Sequence, residues 1–241
     1  MNVALRVLLT LWGFLVAVVW SLFIGVAYLV LRPVERNGEW FDRLFSLQSR
    51  VLVRLLGIRL QVEHPERFPR DRPVLLMANH RSYLDIPALV AAFPGHSLRF
   101  VAKRSLGAIP VYGWAIAASP CVLIDRANAR DSLRRIKRGA AALSPGAALA
   151  IFPEGTRAAG ESLLPFKKGA FLLAAGSGLP VLPVALQGSG KVWGKTQRLF
   201  RPGTIRVRVL PLLEKPEGKV SPDRLLEDVQ RSITGALEEN R

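Results

Sequence analysis

Hydrophobic residues form one long run near the amino terminus of the chain. Between Arg6 and Arg32 lie 25 residues without a charge, Val7 to Leu31. A helix that spans a bilayer needs about 20 apolar residues, so this run predicts a membrane-associated helix. The alternative is a signal peptide, whose apolar region would have about 7–15 residues before a small-residue cleavage site. This run is longer and ends in Leu-Val-Leu-Arg, which favours retention in the protein.

The next apolar positions recur with the spacing of a helix, and basic residues occupy most of the other positions. The apolar set is Phe41, Leu44, Phe45, Leu52, Leu55 and Leu56, and the basic set is Arg43, Arg50 and Arg54. Such a helix can lie in an anionic membrane interface, or its apolar stripe can pack on the first helix or on the domain. We therefore predict membrane-anchoring helices, arranged as a hairpin, over residues 1–57 and a separate domain over residues 58–241.

Beyond Gly57, short apolar runs alternate with helical patterns. Val74–Ala78 and Ala147–Ile151 are continuously apolar, which is typical of strands buried on both faces of a sheet. Further strands are predicted at Leu60–Glu63, Leu98–Ala102, Cys121–Ile124, Val181–Leu186 and Ile205–Leu210, and helices at Ile86–Ala92, Ala129–Leu143, Lys167–Ala175 and Pro222–Glu238. Strands that alternate with helices indicate an α/β fold, here a mixed sheet flanked by helices.

The charge of the 241-residue chain restricts its partners. Lys and Arg total 34 against 18 Asp and Glu, and the net charge of +16 favours anionic partners. Nucleic acid is not expected, because the basic residues are spread along the chain without an aromatic RNA-binding signature or zinc-finger spacing. Basic residues are more frequent after the apolar run than before it, which places the main domain on the cytoplasmic side of an anionic membrane. With only Cys121 and three separated histidines, no metal site is predicted.

Two polar signatures stand directly after the apolar runs assigned to buried strands. The first is Asn79-His80-Arg81-Ser82-Tyr83-Leu84-Asp85, and the second is Phe152-Pro153-Glu154-Gly155-Thr156-Arg157. In open α/β sheets, ligands bind in the crevice beyond the carboxyl ends of strands. Both signatures are therefore expected at one cleft.

His80 and Asp85 have the residue types of a general base and the carboxylate that orients it. A separation of five positions does not place them on one face of a helix, so a turn must bring them together. If Asp85 accepts a hydrogen bond from one imidazole nitrogen, the other nitrogen can take a proton from a hydroxyl. Alternatively, Asp85 only caps a helix and His80 is a hydrogen-bonded residue at a strand end.

The second signature has the residue types that bind an anion. Arg157 offers a planar guanidinium for two phosphate oxygens, Gly155 allows close approach of the backbone, and Glu154 can orient the arginine or a substrate hydroxyl. A turn with a surface ion pair would explain these residues if they stood alone. Because the chain has no Gly-x-Ser-x-Gly motif and Cys121 lies in an apolar run, the expected nucleophile is a hydroxyl of the substrate.

Together the signatures resemble those of the glycerolipid acyltransferases, the family typified by lysophosphatidic acid acyltransferase, which has Asn-His-x-x-x-x-Asp and Phe-Pro-Glu-Gly-Thr-Arg blocks. The resemblance covers residues 60–210 and extends to Ala102-Lys103, Val122–Arg126 and Val181–Ala185. One departure is visible: the block that contains Arg126 usually begins with Gly, and Pro120 stands in that position.

The resemblance implies an acyltransferase of phospholipid biosynthesis, with no cofactor expected. His80 would deprotonate the free hydroxyl of 1-acyl-sn-glycerol-3-phosphate, oriented by Asp85, and the hydroxyl would attack the thioester of acyl-CoA or acyl-carrier protein to form phosphatidate. The residues expected to bind the acceptor are Lys103, Arg126, Glu154, Gly155, Thr156 and Arg157. Two alternatives stay open. One is an acyltransferase for another acceptor, a lyso-aminolipid or glycerol-3-phosphate, and the other is a noncatalytic membrane-lipid binding protein.

Overall fold

The chain folds into two amino-terminal helices followed by an α/β unit. The computed structural model describes residues 3–35, 38–125, 127–160, 162–214 and 221–239. The helices in these ranges are α1 (Val3–Leu31), α2 (Glu39–Leu55), α3 (Asp85–Ala92), α4 (Tyr112–Ala118), α5 (Ala129–Ala141), α6 (Lys168–Ser177), α7 (Ser189–Trp193) and α8 (Pro222–Glu238). The strands are β1 (Arg59–Glu63), β2 (Val74–Ala78), β3 (Ser97–Lys103), β4 (Val122–Ile124), β5 (Ala147–Ile151), β6 (Val181–Gln187) and β7 (Thr204–Val209).

These strands form one mixed sheet in the order β1-β7-β6-β2-β5-β3-β4. Neighbouring strands are parallel, except that β6 and β7 run antiparallel. The predicted mixed sheet flanked by helices is confirmed. Because β2 and β5 are parallel neighbours, their carboxyl ends meet at the same edge, and the two signatures that follow these strands come together there.

Both faces of the central strands are buried, as their continuous apolar sequence predicts. Leu76 of β2 belongs to a hydrophobic cluster that includes side chains of α2 and α3. Its neighbours Leu75 and Met77 belong to the opposite cluster, with side chains of α5, α6 and α8. The strands that carry the two signatures are therefore fixed between two layers of helices.

Helices α1 and α2 form an antiparallel hairpin. The rings of Tyr28 and Phe41 lie 5.5 Å apart near the connection, and the Gln48 amide donates a hydrogen bond to the Ser21 hydroxyl at 2.7 Å further along. The start of α2 thus packs on the end of α1, and the middle of α2 packs on the middle of α1, as an antiparallel pair requires. The predicted hairpin is present.

Most of the apolar stripe of α2 packs inside the protein. Phe41, Leu52 and Leu56 are buried, and the ring of Phe45 lies 6.0 Å from the ring of Phe100 in β3, whereas Leu55 is exposed. This is the second of the two predicted uses of the stripe. Side chains of α1, α2 and the sheet belong to one hydrophobic cluster. The division of the chain into two parts at residue 57 stays a prediction.

Helix α1 carries an apolar surface that the rest of the protein leaves largely uncovered. With the turn that follows it to Val34, the segment has 32 residues, and its 18-residue apolar stretch has a mean hydropathy of 2.6 and is 17% buried. Its exposed large side chains include Leu8, Trp12, Phe14 and Phe23. The length and composition are sufficient to cross a membrane, as the uncharged run predicts.

Candidate active site

The turn between β2 and α3 brings His80 and Asp85 together. Nδ1 of His80 lies 2.8 Å from Oδ2 of Asp85. The same oxygen accepts hydrogen bonds from the backbone N–H groups of Arg81 at 2.7 Å and Ser82 at 2.8 Å. Because a carboxylate only accepts hydrogen bonds, the neutral form of this imidazole has its proton on Nδ1 and a lone pair on Nε2. His80 is therefore arranged as a general base.

The alternative role of Asp85, a helix cap, does not fit the turn. Leu84 is the N-cap of α3 without a side-chain capping bond, and its backbone N–H donates to the Ser82 hydroxyl at 3.1 Å. The Asp85 side chain is fully buried, whereas 18% of the His80 side chain is exposed. The carboxylate is shielded from water, and the imidazole reaches the surface of the cleft.

An aromatic stack fixes the plane of the imidazole. The rings of His80 and Phe152 lie 4.0 Å apart with an angle of 16° between their planes. Phe152 in turn stacks on Phe100 of β3 at 6.2 Å. The hydrogen bond to Asp85 and the stack on Phe152 together set the direction in which Nε2 points.

Glu154 ties the second signature to the first. Its side chain is buried, Oε1 accepts a hydrogen bond from the backbone N–H of His80 at 2.5 Å, and Oε2 accepts one from the backbone N–H of Leu164 at 3.0 Å. Burial raises the pKa of Glu154 above its ordinary value, although these two hydrogen bonds oppose the shift. Glu154 thus holds the backbone of the base in place, and the substrate contact predicted for it stays a prediction.

Gly155, Thr156 and Arg157 continue the turn after Glu154. Gly155 has a φ of +68°, and an added β-carbon would lie 3.0 Å from Cδ of Lys167, so both conformation and space favour glycine. Thr156 is exposed and Arg157 is half-buried. The guanidinium carbon of Arg157 lies 3.5 Å from the centre of the Tyr83 ring. The turn therefore presents a cation beside the base.

Lys103 and Arg126 are the two remaining residues predicted for the site. Lys103 ends β3, is exposed and pairs in register with Ile124 of β4. Because β3 runs parallel to β5, Lys103 lies at the same edge of the sheet as the two signatures. Arg126 lies outside the described residues. The fold thus places every described member of the predicted site at one edge.

An apolar cavity of about 110 Å³ lies beside this edge, between α1, α2, β3 and α4. Its walls include Ile24, Phe45 and Ile116. Phe100 lines the cavity and also contacts Phe152, which stacks on His80. Two aromatic rings therefore lie between His80 and an apolar space.

Cys121 also lines the cavity and bears on the choice of nucleophile. Burial raises the pKa of its thiol above the ordinary value. A thiol with a raised pKa stays protonated at neutral pH, and the thiolate is the nucleophilic form. This agrees with the prediction that the nucleophile belongs to the substrate.

Sequence reasoning missed two side chains that build the site. The amide of Asn79 donates a hydrogen bond to the Leu186 carbonyl at 2.8 Å and accepts one from the Leu186 N–H at 2.7 Å, which joins the end of β2 to β6. Tyr83 provides the ring beneath Arg157. Both residues are part of the first signature, but neither belongs to a periodic pattern that would indicate its partner.

Comparison with known proteins agrees with this geometry. A protein-family model described as Acyltransferase matches residues 59–187, a range that contains both signatures. The chain belongs to the acyltransferase family. A solved acyltransferase structure, that of the 1-acyl-sn-glycerophosphate (LPA) acyltransferase from Thermotoga maritima, is similar to this acyltransferase with a TM-score of 0.83 and 28% identity. The similarity covers 99% of this chain and 97% of that one.

Curated relatives are similar over most of this acyltransferase. A chloroplastic 1-acyl-sn-glycerol-3-phosphate acyltransferase from Arabidopsis thaliana is 32% identical over 75% of this chain and 49% of its own length. The 1-acyl-sn-glycerol-3-phosphate acyltransferase alpha from Ovis aries is 31% identical over 85% of this chain and 70% of its own. The chain thus spans about half the length of the first relative and more of the second. The family predicted from the two signatures is confirmed.

Proposed function

We propose that this acyltransferase transfers an acyl group from acyl-CoA or acyl-carrier protein to the free hydroxyl of 1-acyl-sn-glycerol-3-phosphate and forms phosphatidate. The observation that carries the proposal is the His80–Asp85 pair, which leaves Nε2 of His80 free at a cleft that also presents Arg157. A base and a cation side by side suit an acceptor that carries both a hydroxyl and a phosphate. The names of the similar proteins support the same acceptor.

The chemistry needs only the substrates and the histidine. Nε2 of His80 takes the hydroxyl proton while the hydroxyl oxygen attacks the thioester carbonyl carbon. Asp85 stabilises the imidazolium that forms. When the carbon–sulfur bond breaks, the imidazolium returns the proton to the leaving thiolate. The acyl group ends as an ester of the acceptor, the thiol is released, and the enzyme regains its starting state.

The acceptor phosphate would bind to the cations and backbone of the same edge. Arg157 offers a planar guanidinium that matches two phosphate oxygens, and Lys103 adds a second positive charge. Gly155 and Thr156 would contribute the close approach of the backbone and a hydroxyl, and Arg126 a further guanidinium. Glu154 would act through the backbone of His80, which it holds at 2.5 Å.

The apolar cavity would hold part of an acyl chain. Its walls are mostly aliphatic and aromatic, and the stacked pair Phe100 and Phe152 connects it to His80. An apolar chain placed there leaves water and lies within two aromatic rings of His80.

We also propose that the protein binds an anionic membrane through α1, with the α/β unit on the cytoplasmic face. The uncovered apolar surface of α1 and the net charge of +16 support this arrangement. Flotation of the full-length protein with anionic liposomes tests the proposal. Protein that stays in the soluble fraction would contradict it.

The function is tested by incubating purified protein with a panel of lyso-acceptors and with acyl-CoA or acyl-carrier protein as donor. The expected result is equal consumption of 1-acyl-sn-glycerol-3-phosphate and release of thiol. Thiol release without loss of acceptor would indicate a thioesterase and overturn the proposal. Faster transfer to a lyso-aminolipid or to glycerol-3-phosphate would overturn the proposed acceptor.

A further inference from the structure

Among the described residues, an aromatic ring and not a carboxylate lies against the guanidinium of Arg157. The guanidinium carbon lies 3.5 Å from the centre of the Tyr83 ring. At that distance the guanidinium lies against the face of the ring, where the negative π surface attracts a cation. A stacked contact occupies the flat face of the guanidinium and leaves open the N–H edge with which arginine binds phosphate.

One N–H group of Arg157 lacks an acceptor in the described part of the protein. The Nη1 atom is shielded from solvent and has no hydrogen-bond partner among the described residues. A buried donor without an acceptor costs free energy, and an arriving phosphate oxygen removes that cost. The contact with Tyr83 and the unpaired donor are separate observations, and both favour an anion at this position.

The surroundings of Tyr83 fix its backbone and leave its ring exposed. The hydroxyl of the neighbouring Ser82 donates a hydrogen bond to the Trp193 carbonyl at 2.6 Å, and the rings of Tyr83 and Trp193 lie edge to face at 6.5 Å. Nevertheless, 63% of Tyr83 is exposed. Burial in a core therefore does not explain an aromatic residue here, whereas contact with Arg157 does.

We propose that Tyr83 is a positioning residue for the acceptor phosphate and acts through Arg157. The inference rests on the proposed function, in which Arg157 binds that phosphate. The ring holds the guanidinium in place before the acceptor arrives, which reduces the conformational entropy lost when a long side chain is ordered on binding. Because Tyr83 lies between His80 and Asp85 in the sequence, one turn sets the positions of both the base and the phosphate-binding cation.

Tyr83→Leu and Tyr83→Met remove the aromatic face and keep an apolar side chain, whereas Tyr83→Phe keeps the face. With the donor saturating, we expect the acceptor KM to rise about 3- to 30-fold in the first two variants and to stay close to wild type in Tyr83→Phe. The kcat, the donor KM and the unfolding midpoint should change little. Trp40→Leu is a matched control, because it removes an exposed aromatic ring that lies 5.3 Å from Arg43 on α2.

A double-mutant cycle separates this role from a structural one. In an Arg157→Ala background, Tyr83→Leu should not raise the acceptor KM further, because the ring has no guanidinium left to hold. An equal rise in both backgrounds would overturn the inference. An unchanged acceptor KM in Tyr83→Leu and Tyr83→Met would also overturn the inference. The proposed function would still stand in that case if Arg157→Ala raises the acceptor KM. If Arg157→Ala has no effect on the acceptor KM, the proposed phosphate site fails together with the inference.

Discussion

Replacing Asp85 with asparagine tests how a buried carboxylate supports His80. Oδ2 of Asp85 accepts three N–H groups, from His80, Arg81 and Ser82, at 2.7–2.8 Å. Oδ1 is buried without a partner among the described residues. The NH2 group of an asparagine must take the position of Oδ2, opposite the three donors, or the position of Oδ1, where no acceptor lies among the described residues. Either orientation leaves a buried donor unsatisfied, which lowers the free energy of unfolding by about 1–3 kcal/mol.

The effect on rate comes from the lost negative charge. In the proposed mechanism His80 becomes a cation when it takes the hydroxyl proton, and a neutral amide would stabilise that cation far less than a carboxylate does. We expect kcat/KM to fall about 10²–10⁴-fold in Asp85→Asn, which corresponds to roughly 3–5 kcal/mol of transition-state free energy. The donor KM should change little, because Asp85 is fully buried and does not reach the cleft.

The assay measures thiol release and phosphatidate formation by purified protein in detergent, and chemical denaturation measures stability separately. Asp71→Asn is the matched control, because it removes the same charge from an exposed position ahead of β2. A folded Asp85→Asn protein with kcat/KM within about threefold of wild type would refute the role assigned to the carboxylate.

Two further predictions concern the second signature. Arg157→Lys keeps the charge and loses the planar fork, so the acceptor KM should rise while the donor KM stays constant, and steady-state kinetics with an unchanged acceptor KM would contradict the phosphate assignment. Burial raises the pKa of Glu154 above its unfolded value, so its contribution to the free energy of unfolding is fully present below the unfolded pKa and is lost as the pH rises through the folded pKa. The free energy of unfolding of wild type should therefore exceed that of Glu154→Gln by an amount that declines as the pH rises from about pH 4 to pH 7. The control is Glu238→Gln, which changes an exposed carboxylate and should show no such decline. A difference between wild type and Glu154→Gln that is independent of pH would argue against the shifted pKa.

The strands that carry the signatures could be predicted from the sequence because burial on both faces leaves a continuous apolar run. Val74–Ala78 and Ala147–Ile151 are predicted with the bounds that the structure has. The reversed direction of β7 could not be predicted, since Ile205–Leu210 alternates apolar and basic residues in the same way in either direction. The short helix α7 was also missed, because five residues are too few for a helical period.

Within the site, contacts between residues close in the sequence could be predicted, and contacts between distant residues could not. The pairing of His80 with Asp85 follows from residue types and a short separation, and it is observed. Glu154 was expected to orient Arg157 or a substrate hydroxyl, but its two oxygens accept backbone N–H groups of His80 and Leu164. The contact with His80 joins positions 74 residues apart in the sequence, and nothing local in the chain indicates it. The stack of Arg157 on Tyr83 is equally non-local.

The acyl-transfer activity of His80→Ala tests whether His80 is the base that activates the acceptor hydroxyl. The control is His64→Asn, since His64 is exposed and has a φ of +57°, a conformation that asparagine tolerates. With acyl-CoA and 1-acyl-sn-glycerol-3-phosphate in detergent, we expect the rate of phosphatidate formation to fall roughly 10²–10⁴-fold in His80→Ala and to stay near wild type in the control. Near-normal turnover by a folded His80→Ala protein would show that His80 is not the base.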